Sequence, residues 1–176
     1  MRWIPVLLVA ACAHPIGGPL EDAREARSLP ADMTVTYREV GGPLGSRELV
    51  VDQAGHLVLR RWRPGFVPAV ERPEQILRNA GEAQTDDDEA VRFVTEISTS
   101  EVLRLVDLLV EIEGWEEGSS DDLPADPVEG SRVSLRVTIG AASSEISEWG
   151  RDLEANDRLL KVRSLVEEWL AAAPRE

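Results

Sequence analysis

The single cysteine of this chain, Cys12, sets the first limit on what the chain can fold into. With one cysteine among 176 residues, no intramolecular disulfide can form. A stable fold must therefore come from a buried apolar core. Residues 33–174 provide enough chain for one such core, and we expect a single domain there.

The segment before Cys12 is typical of a secretory signal peptide. One positive charge, Arg2, precedes a short apolar run that ends in two small residues, Ala10 and Ala11. The run of about ten residues is too short for a transmembrane helix, which needs about 20. We predict a signal peptide over residues 1–11. A cytosolic start, with these residues in an ordinary strand, remains an alternative.

The residues Val9-Ala10-Ala11-Cys12 resemble the lipobox of bacterial lipoproteins, in which small residues precede an invariant cysteine. The resemblance implies cleavage before Cys12, diacylation of its thiol and acylation of the new N-terminus. It also implies an anchor in a membrane of the bacterial cell envelope, with the domain facing the periplasm. A secretory signal without lipidation stays open as the other interpretation.

The acidic charge of the chain limits its partners. The formal net charge is −14, and binding to nucleic acid requires clustered Lys and Arg to neutralise phosphates. The same charge disfavours contact of the protein surface with anionic lipids. We therefore expect no nucleic-acid partner, and membrane attachment through lipid on Cys12 alone.

Residues 12–32 are predicted to be the lipidated N-terminus followed by a flexible tether. The stretch contains four residues that disfavour regular structure near its start, namely Pro15, Gly17, Gly18 and Pro19. The residues Glu21–Arg27 favour one or two helical turns. We see no apolar face on these turns, and so we expect the segment not to pack on the domain.

Six segments of the domain have the composition or alternation of β-strands. They are Met33–Val40, Arg47–Asp52, His56–Trp62, Ala90–Ile97, Arg132–Ile139 and a weaker strand around Ser144–Ile146. In the third strand, Leu57 and Leu59 are expected to face the core and Arg60 to point outward. Glycine-bearing turns and short connections favour antiparallel pairing.

Two helices complete the pattern. Ser98 and Glu101 fit a capping box, and behind them apolar residues recur at spacings of three and four: Val102, Leu105, Val106, Leu109 and Ile112. Val110 and Glu111 lie off this stripe and are expected to tolerate polar substitution far better than the stripe residues. A C-terminal helix starts at Asn156 or Asp157 and stops at Pro174. The predicted fold class is therefore α+β, an antiparallel sheet of about five to six strands with two helices packed on one face.

Residues 63–90 are predicted to be a long irregular insertion. This stretch contains Pro64, Pro68 and Pro73, with a short helix expected near Pro73–Asn79. The acidic run 86–89 lacks the central glycine and the loop-closing glutamate of an EF-hand. We interpret it as a solvated loop rather than a calcium site.

No catalytic or cofactor-binding residue is predicted. Of the two histidines, His14 lies next to Cys12 and only His56 falls in the domain. With Cys12 assigned to lipidation, neither a zinc site nor a histidine-dependent triad is expected. Trp62 and Trp149 lie at strand ends and are candidates for an interface.

One family resemblance covers the domain from Met33 to Ala173. The run Tyr37–Gly45, with its Gly-Gly-x-x-Gly connection, precedes a strand hairpin, a Ser-capped helix, further strands and a C-terminal helix. This arrangement resembles the emfourin-like proteins, whose founding member inhibits a thermolysin-like metalloprotease. The resemblance implies a small α+β domain and a protease partner, and it transfers no inhibitory residue.

Three functions remain open from the sequence. The first is a non-catalytic, membrane-anchored lipoprotein whose domain binds a protein partner, with a protease-inhibitor-like module as one form of it. The second is a structural or assembly role in the envelope. The third is a hydrolase that uses carboxylates alone, since Asp and Glu number 33 in this chain.

Overall fold

The described part of the protein is an antiparallel sheet with helices interspersed along the chain. A computed structural model describes residues 14–42, 45–79, 89–116, 118–119 and 131–172. The strands are β1 (Met33–Gly42), β2 (Gly45–Asp52), β3 (His56–Trp62), β4 (Glu89–Glu96), β5 (Gly118–Ser119), β6 (Arg132–Ile139) and β7 (Ala142–Trp149). The helices are α1 (Gly17–Ala26), α2 (Pro73–Arg78), α3 (Thr99–Glu111), a 3-10 helix (Gly150–Ala155) and α4 (Asp157–Ala172).

The sheet has the strand order β4-β3-β2-β1-β6-β7-β5. Six strands pair antiparallel, and the two-residue β5 pairs parallel with β7 at one edge. The predicted α+β class with an antiparallel sheet is confirmed. The glycine connection between β1 and β2 positions Gly45 at φ +93°, where a Cβ atom would lie 2.0 Å from the Trp62 carbonyl oxygen. Only glycine fits this approach.

One face of the sheet, here called the inner face, holds the main core. Apolar side chains of α1, α3 and α4 pack in one cluster with side chains from β1, β2, β3, β6 and β7. The strand residues of this cluster are Met33, Val35, Tyr37, Leu49, Val51, Leu57, Leu59, Val133, Leu135, Val137 and Ile146. Their alternation along each strand is the period-2 pattern of a half-buried sheet.

Helix α3 follows the sequence prediction closely at its start. The Glu101 backbone N–H donates to the Ser98 side chain at 3.3 Å, which satisfies one free donor of the first turn. The predicted stripe is buried, with Leu109 fully inaccessible. Val110 lies off the predicted stripe but is only 8% exposed and belongs to the core cluster, so its burial argues against the predicted tolerance of polar substitution there. A helix enclosed by the sheet, α1 and α4 buries more than a narrow stripe.

The prediction that the segment 12–32 does not pack is wrong for its described residues. Helix α1 lies on α3, and Ile16 and Leu20 are fully buried. These two residues and Ala23 are spaced four and three apart, so they share one helix face. Gly17 approaches Trp115 so closely that a Cβ atom would lie 2.6 Å from the ring.

The second face, here called the outer face, is partly covered by residues 63–79. Within the predicted irregular insertion, helix α2 buries Ile76 against Val50 and Val58 of the sheet. The short helix predicted near Pro73–Asn79 is confirmed as Pro73–Arg78. The remainder of the insertion up to residue 88 lies outside the described residues, as does most of the acidic run 86–89.

Candidate functional site

A cavity of about 580 Å³ opens where β4, α3 and α4 meet. We call it the edge cleft, because β4 is the edge strand of the sheet. Its lining combines apolar and charged side chains: Leu57, Phe93, Thr95, Glu96, Ile97, Ser98, Glu101, Arg104, Glu168, Trp169 and Leu170. This volume lies within the range of about 300–1,000 Å³ that is typical of ligand pockets.

The polar wall of the edge cleft is a short chain of hydrogen bonds and ion pairs. The Trp169 indole N–H donates to Glu101 Oε2 at 2.8 Å. Arg104 Nη2 lies 2.6 Å from Glu168 Oε2, and its Nη1 lies 3.6 Å from Glu101 Oε2. With Glu96, three carboxylates line the cleft against one guanidinium among the described residues. The cleft is therefore acidic, like the chain as a whole.

Beside this cleft, alternate backbone N–H and C=O groups of the edge strand β4 point away from the sheet. Ile97 N–H donates to the Gly55 carbonyl oxygen at 2.9 Å. Because antiparallel strands alternate bonded and unbonded positions, the backbone groups of Arg92, Val94 and Glu96 point away from β3. No strand pairs with this side of β4 in the described part of the chain. Val94, with 46% of its surface exposed, lies on this edge.

A second cavity, of about 290 Å³, lies on the outer face. We call it the outer cleft. Its lining is Thr36, Arg38, Val40, Glu48, Val70, Glu71, Pro73, Arg132, Ser134, Arg136 and Glu145. The strand register explains why charged groups gather here. One row across four neighbouring strands contains Arg92, Arg60, Glu48 and Arg38.

Burial makes this row electrostatically unusual. Glu48 and Arg60 are each 3% exposed, and Glu48 lies 3.6 Å from Arg38 Nε and 3.7 Å from Arg60 Nη1. Burial raises the pKa of Glu48, and the two guanidiniums oppose that rise only in part. Burial also lowers the pKa of Arg38. Arg60 points away from the inner core, as predicted, but it is not exposed to solvent, because Glu71 covers it with a 2.8 Å ion pair.

A third group of charges lies at the end of β1 that is close to α4. Arg47 binds Glu39 with two hydrogen bonds of 2.8 Å, and the Tyr37 hydroxyl donates to Glu39 at 2.5 Å. Arg47 also pairs with Glu167 of α4 at 2.6 Å. Burial acts to raise the pKa of Glu39, but the hydrogen bonds and nearby arginines outweigh it and hold the pKa below its usual value. This cluster joins the helix to the sheet.

The residues that the sequence offered as functional candidates, Cys12, His56, Trp62 and Trp149, lie away from these clefts or outside the described residues. Cys12 belongs to the latter, and its lipidation stays a prediction. His56 is exposed, and its Nδ1 lies 2.7 Å from Asp52 Oδ2. The hydrogen bond to Asp52 raises the pKa of His56. Trp62 and Trp149 are buried, so they offer no aromatic platform at the surface. No helix among the described residues has the length and apolarity needed to cross a membrane.

Sequence reasoning missed both clefts. Each is built from residues that are distant in the chain, such as Glu101 and Trp169. For the outer cleft a signal does exist: Arg38, Glu48 and Arg60 occupy equivalent non-core positions of three successive predicted strands. Pairing those strands by their turns would have placed the three side chains in one row.

Comparison with known proteins adds no relative. A scan of protein-family models finds no match to this chain, and a search of curated proteins returns no significant match. The lipoprotein and emfourin-like resemblances therefore stay predictions.

Proposed function

We propose that this chain is a membrane-anchored lipoprotein of the bacterial cell envelope with a non-catalytic α+β domain that binds a protein partner at the edge cleft. The observation that supports it most is the 580 Å³ cavity beside the outward-facing backbone of β4. The anchor is lipid on Cys12, as the sequence predicts. A protease is the partner class that the emfourin-like resemblance implies.

The edge of β4 suits an extended segment of the partner. Such a segment can add to a sheet edge through main-chain hydrogen bonds, while neighbouring pockets select its side chains. Arg92, Val94 and Glu96 supply the outward backbone groups, and the cavity beside Phe93 and Ile97 accepts an apolar side chain.

The charge of the edge cleft defines the partner further. Glu96 and Glu168 have side chains that are 81% and 56% exposed, and Arg104 is the sole cation among the described lining residues. Complementary charge increases the association rate and excludes wrong partners. The bound segment is therefore extended, with basic residues next to an apolar one.

The anchoring half of the proposal is tested by Cys12→Ser. A serine hydroxyl cannot form the thioether to diacylglycerol, so the variant should remain an uncleaved precursor or appear in soluble fractions. Fractionation of cells followed by mass determination of the protein measures this. Mature-sized variant that still sediments with membranes would contradict the lipoprotein assignment.

The binding half is tested with photo-crosslinking side chains placed singly at Glu96 and at Val70. Both positions are exposed, but Glu96 lines the edge cleft, whereas Val70 lines the outer cleft and serves as the matched control. A partner adduct is expected at position 96 only, and Glu168→Lys should reduce it. A thermolysin-like protease added to the purified protein should give the same position-specific adduct. Equal adducts at both positions, or none, would reject the edge cleft as the binding site.

A further inference from the structure

The outer cleft contains two buried polar atoms that no described residue satisfies. Thr36 Oγ1 and Arg38 Nε have no hydrogen-bond partner in the part of the chain that the structure describes. They lie two residues apart on β1 and both residues line the cleft. A buried donor without a partner costs about 1–3 kcal/mol. Two such donors side by side indicate a place where an acceptor is bound.

The rest of the Arg38 guanidinium is already held in position. Its Nη2 donates to the carbonyl oxygens of Pro68 and Ala69, and its side chain is 13% exposed. Glu48 Oε1 lies 3.6 Å from Arg38 Nε, which is an ion pair beyond hydrogen-bonding distance. The guanidinium is therefore held in place and charged, and its buried Nε lacks a hydrogen-bond acceptor among the described residues.

Further donors surround this point. The register pairs Thr36 with Arg136 and Arg38 with Ser134 on the neighbouring strand β6. Arg136 contacts Glu145 at 2.5 Å through Nη2, and Arg132 reaches Ser147 Oγ at 2.9 Å. Together with Arg60 behind Glu48, four guanidiniums face three carboxylates here. This local surplus of positive charge contrasts with the net charge of −14 for the whole chain.

We infer that the outer cleft binds a small oxyanion, a carboxylate or phosphate group, with the Thr36 hydroxyl and Arg38 Nε as donors and Arg136 beside them. The volume of about 290 Å³ is at the lower end of ligand pockets, which favours a small molecule over a macromolecule. The acidic protein repels anions at long range. Binding therefore depends on direct, charge-assisted hydrogen bonds.

The inference is tested by calorimetric titration and thermal unfolding of the full chain with inorganic phosphate and with succinate, against chloride at equal ionic strength. At least one of the two anions should bind and raise the melting temperature above the chloride value. Phosphate alone identifies a phosphate site, and succinate alone a carboxylate site. No effect of either beyond that of chloride would overturn the inference.

Two variants separate the site from general charge effects. Thr36→Val keeps the shape and removes an unpartnered hydroxyl, so it should fold normally yet weaken anion binding about tenfold or more. Arg136→Gln should weaken it similarly. Arg27→Gln is the matched control, because it removes an exposed arginine directly after α1. Equal anion binding by Thr36→Val and the parent protein would refute the assignment, whatever happens at the edge cleft.

Discussion

The two faces of the sheet are covered by different physical means. On the inner face, three helices bury a continuous apolar cluster in which Leu20, Leu109 and Leu159 are fully inaccessible. On the outer face, residues 63–79 are held by polar contacts in addition to the packing of Ile76 on Val50 and Val58. Ser46 Oγ donates to the Phe66 carbonyl oxygen at 2.8 Å, and Arg60 pairs with Glu71 at 2.8 Å.

The inner face therefore concentrates apolar packing, whereas the outer face concentrates buried charge. The inner apolar cluster supplies the non-directional, area-dependent part of the folding free energy. The outer face buries charges, whose desolvation offsets most of their attraction, so its ion pairs add little net stability. A face built in this way is suited to recognition of a charged ligand.

The largest effect is expected from truncation of the inner core. Leu109→Ala should lower the free energy of unfolding by about 2–5 kcal/mol, because it leaves a cavity beneath α3. Leu108→Ala on the same helix is the matched control, since Leu108 is only partly buried. Urea denaturation followed by circular dichroism measures both. An unchanged midpoint for Leu109→Ala would show that α3 is wrongly positioned.

The next effect tests whether α1 belongs to the inner core. Leu20→Ala should destabilise the protein by about 2–3 kcal/mol, because Leu20 is fully buried beside α3. Glu21→Ala, at an exposed position of the same helix, should change little. A flexible tether would make both substitutions equally silent in the same denaturation experiment.

A smaller effect is expected on the outer face. Glu71→Gln keeps the size of the side chain and removes the charge that faces Arg60. The loss should be about 1 kcal/mol, because a half-exposed carboxylate is screened by solvent. Hydrogen exchange should rise in residues 66–78 and stay unchanged in α3. Equal changes in both segments would mean that the two faces unfold as one unit.

The inner face could be predicted from the sequence because its signal is periodic. In β6, apolar residues alternate with polar ones. In α3, apolar residues recur at spacings of three and four residues after the capping serine. Helix α1 carries the same kind of spacing at Ile16, Leu20 and Ala23. It was missed because Gly17, Gly18 and Pro19 are typical of loops, although the first helical turn tolerates proline.

The outer face could not be predicted in the same way. Alternation shows that Arg60 points away from the core, but it does not show that another segment covers that side. Burial of Arg60 depends on Glu71 and on the position of α2, which pattern alone does not determine. The edge cleft depends likewise on the packing of α4 across α3, which positions Trp169 beside Glu101.

Two carboxylates, Glu39 and Glu48, extend the comparison to the pH dependence of stability. The pKa of Glu39, near α4, is held below its usual value of 4.5 by Arg47 and Tyr37, whose hydrogen bonds outweigh burial. The pKa of Glu48, on the outer face, is raised above 4.5 by burial. The two groups should therefore make stability depend on pH with opposite signs.

Glu39→Gln and Glu48→Gln should separate these contributions in urea midpoints measured across the acidic range. Ionised Glu39 stabilises the fold, and this stabilisation is lost as pH falls below 4.5 through its lowered pKa. Glu39→Gln should therefore flatten the acid side of the profile.

Glu48 binds its proton more tightly when folded, so stability declines as pH rises from 4.5 through its raised pKa. Glu48→Gln should remove that decline alone. If Glu39→Gln instead removed the decline above pH 4.5, and Glu48→Gln instead flattened the acid side, the directions of the two pKa shifts would be reversed.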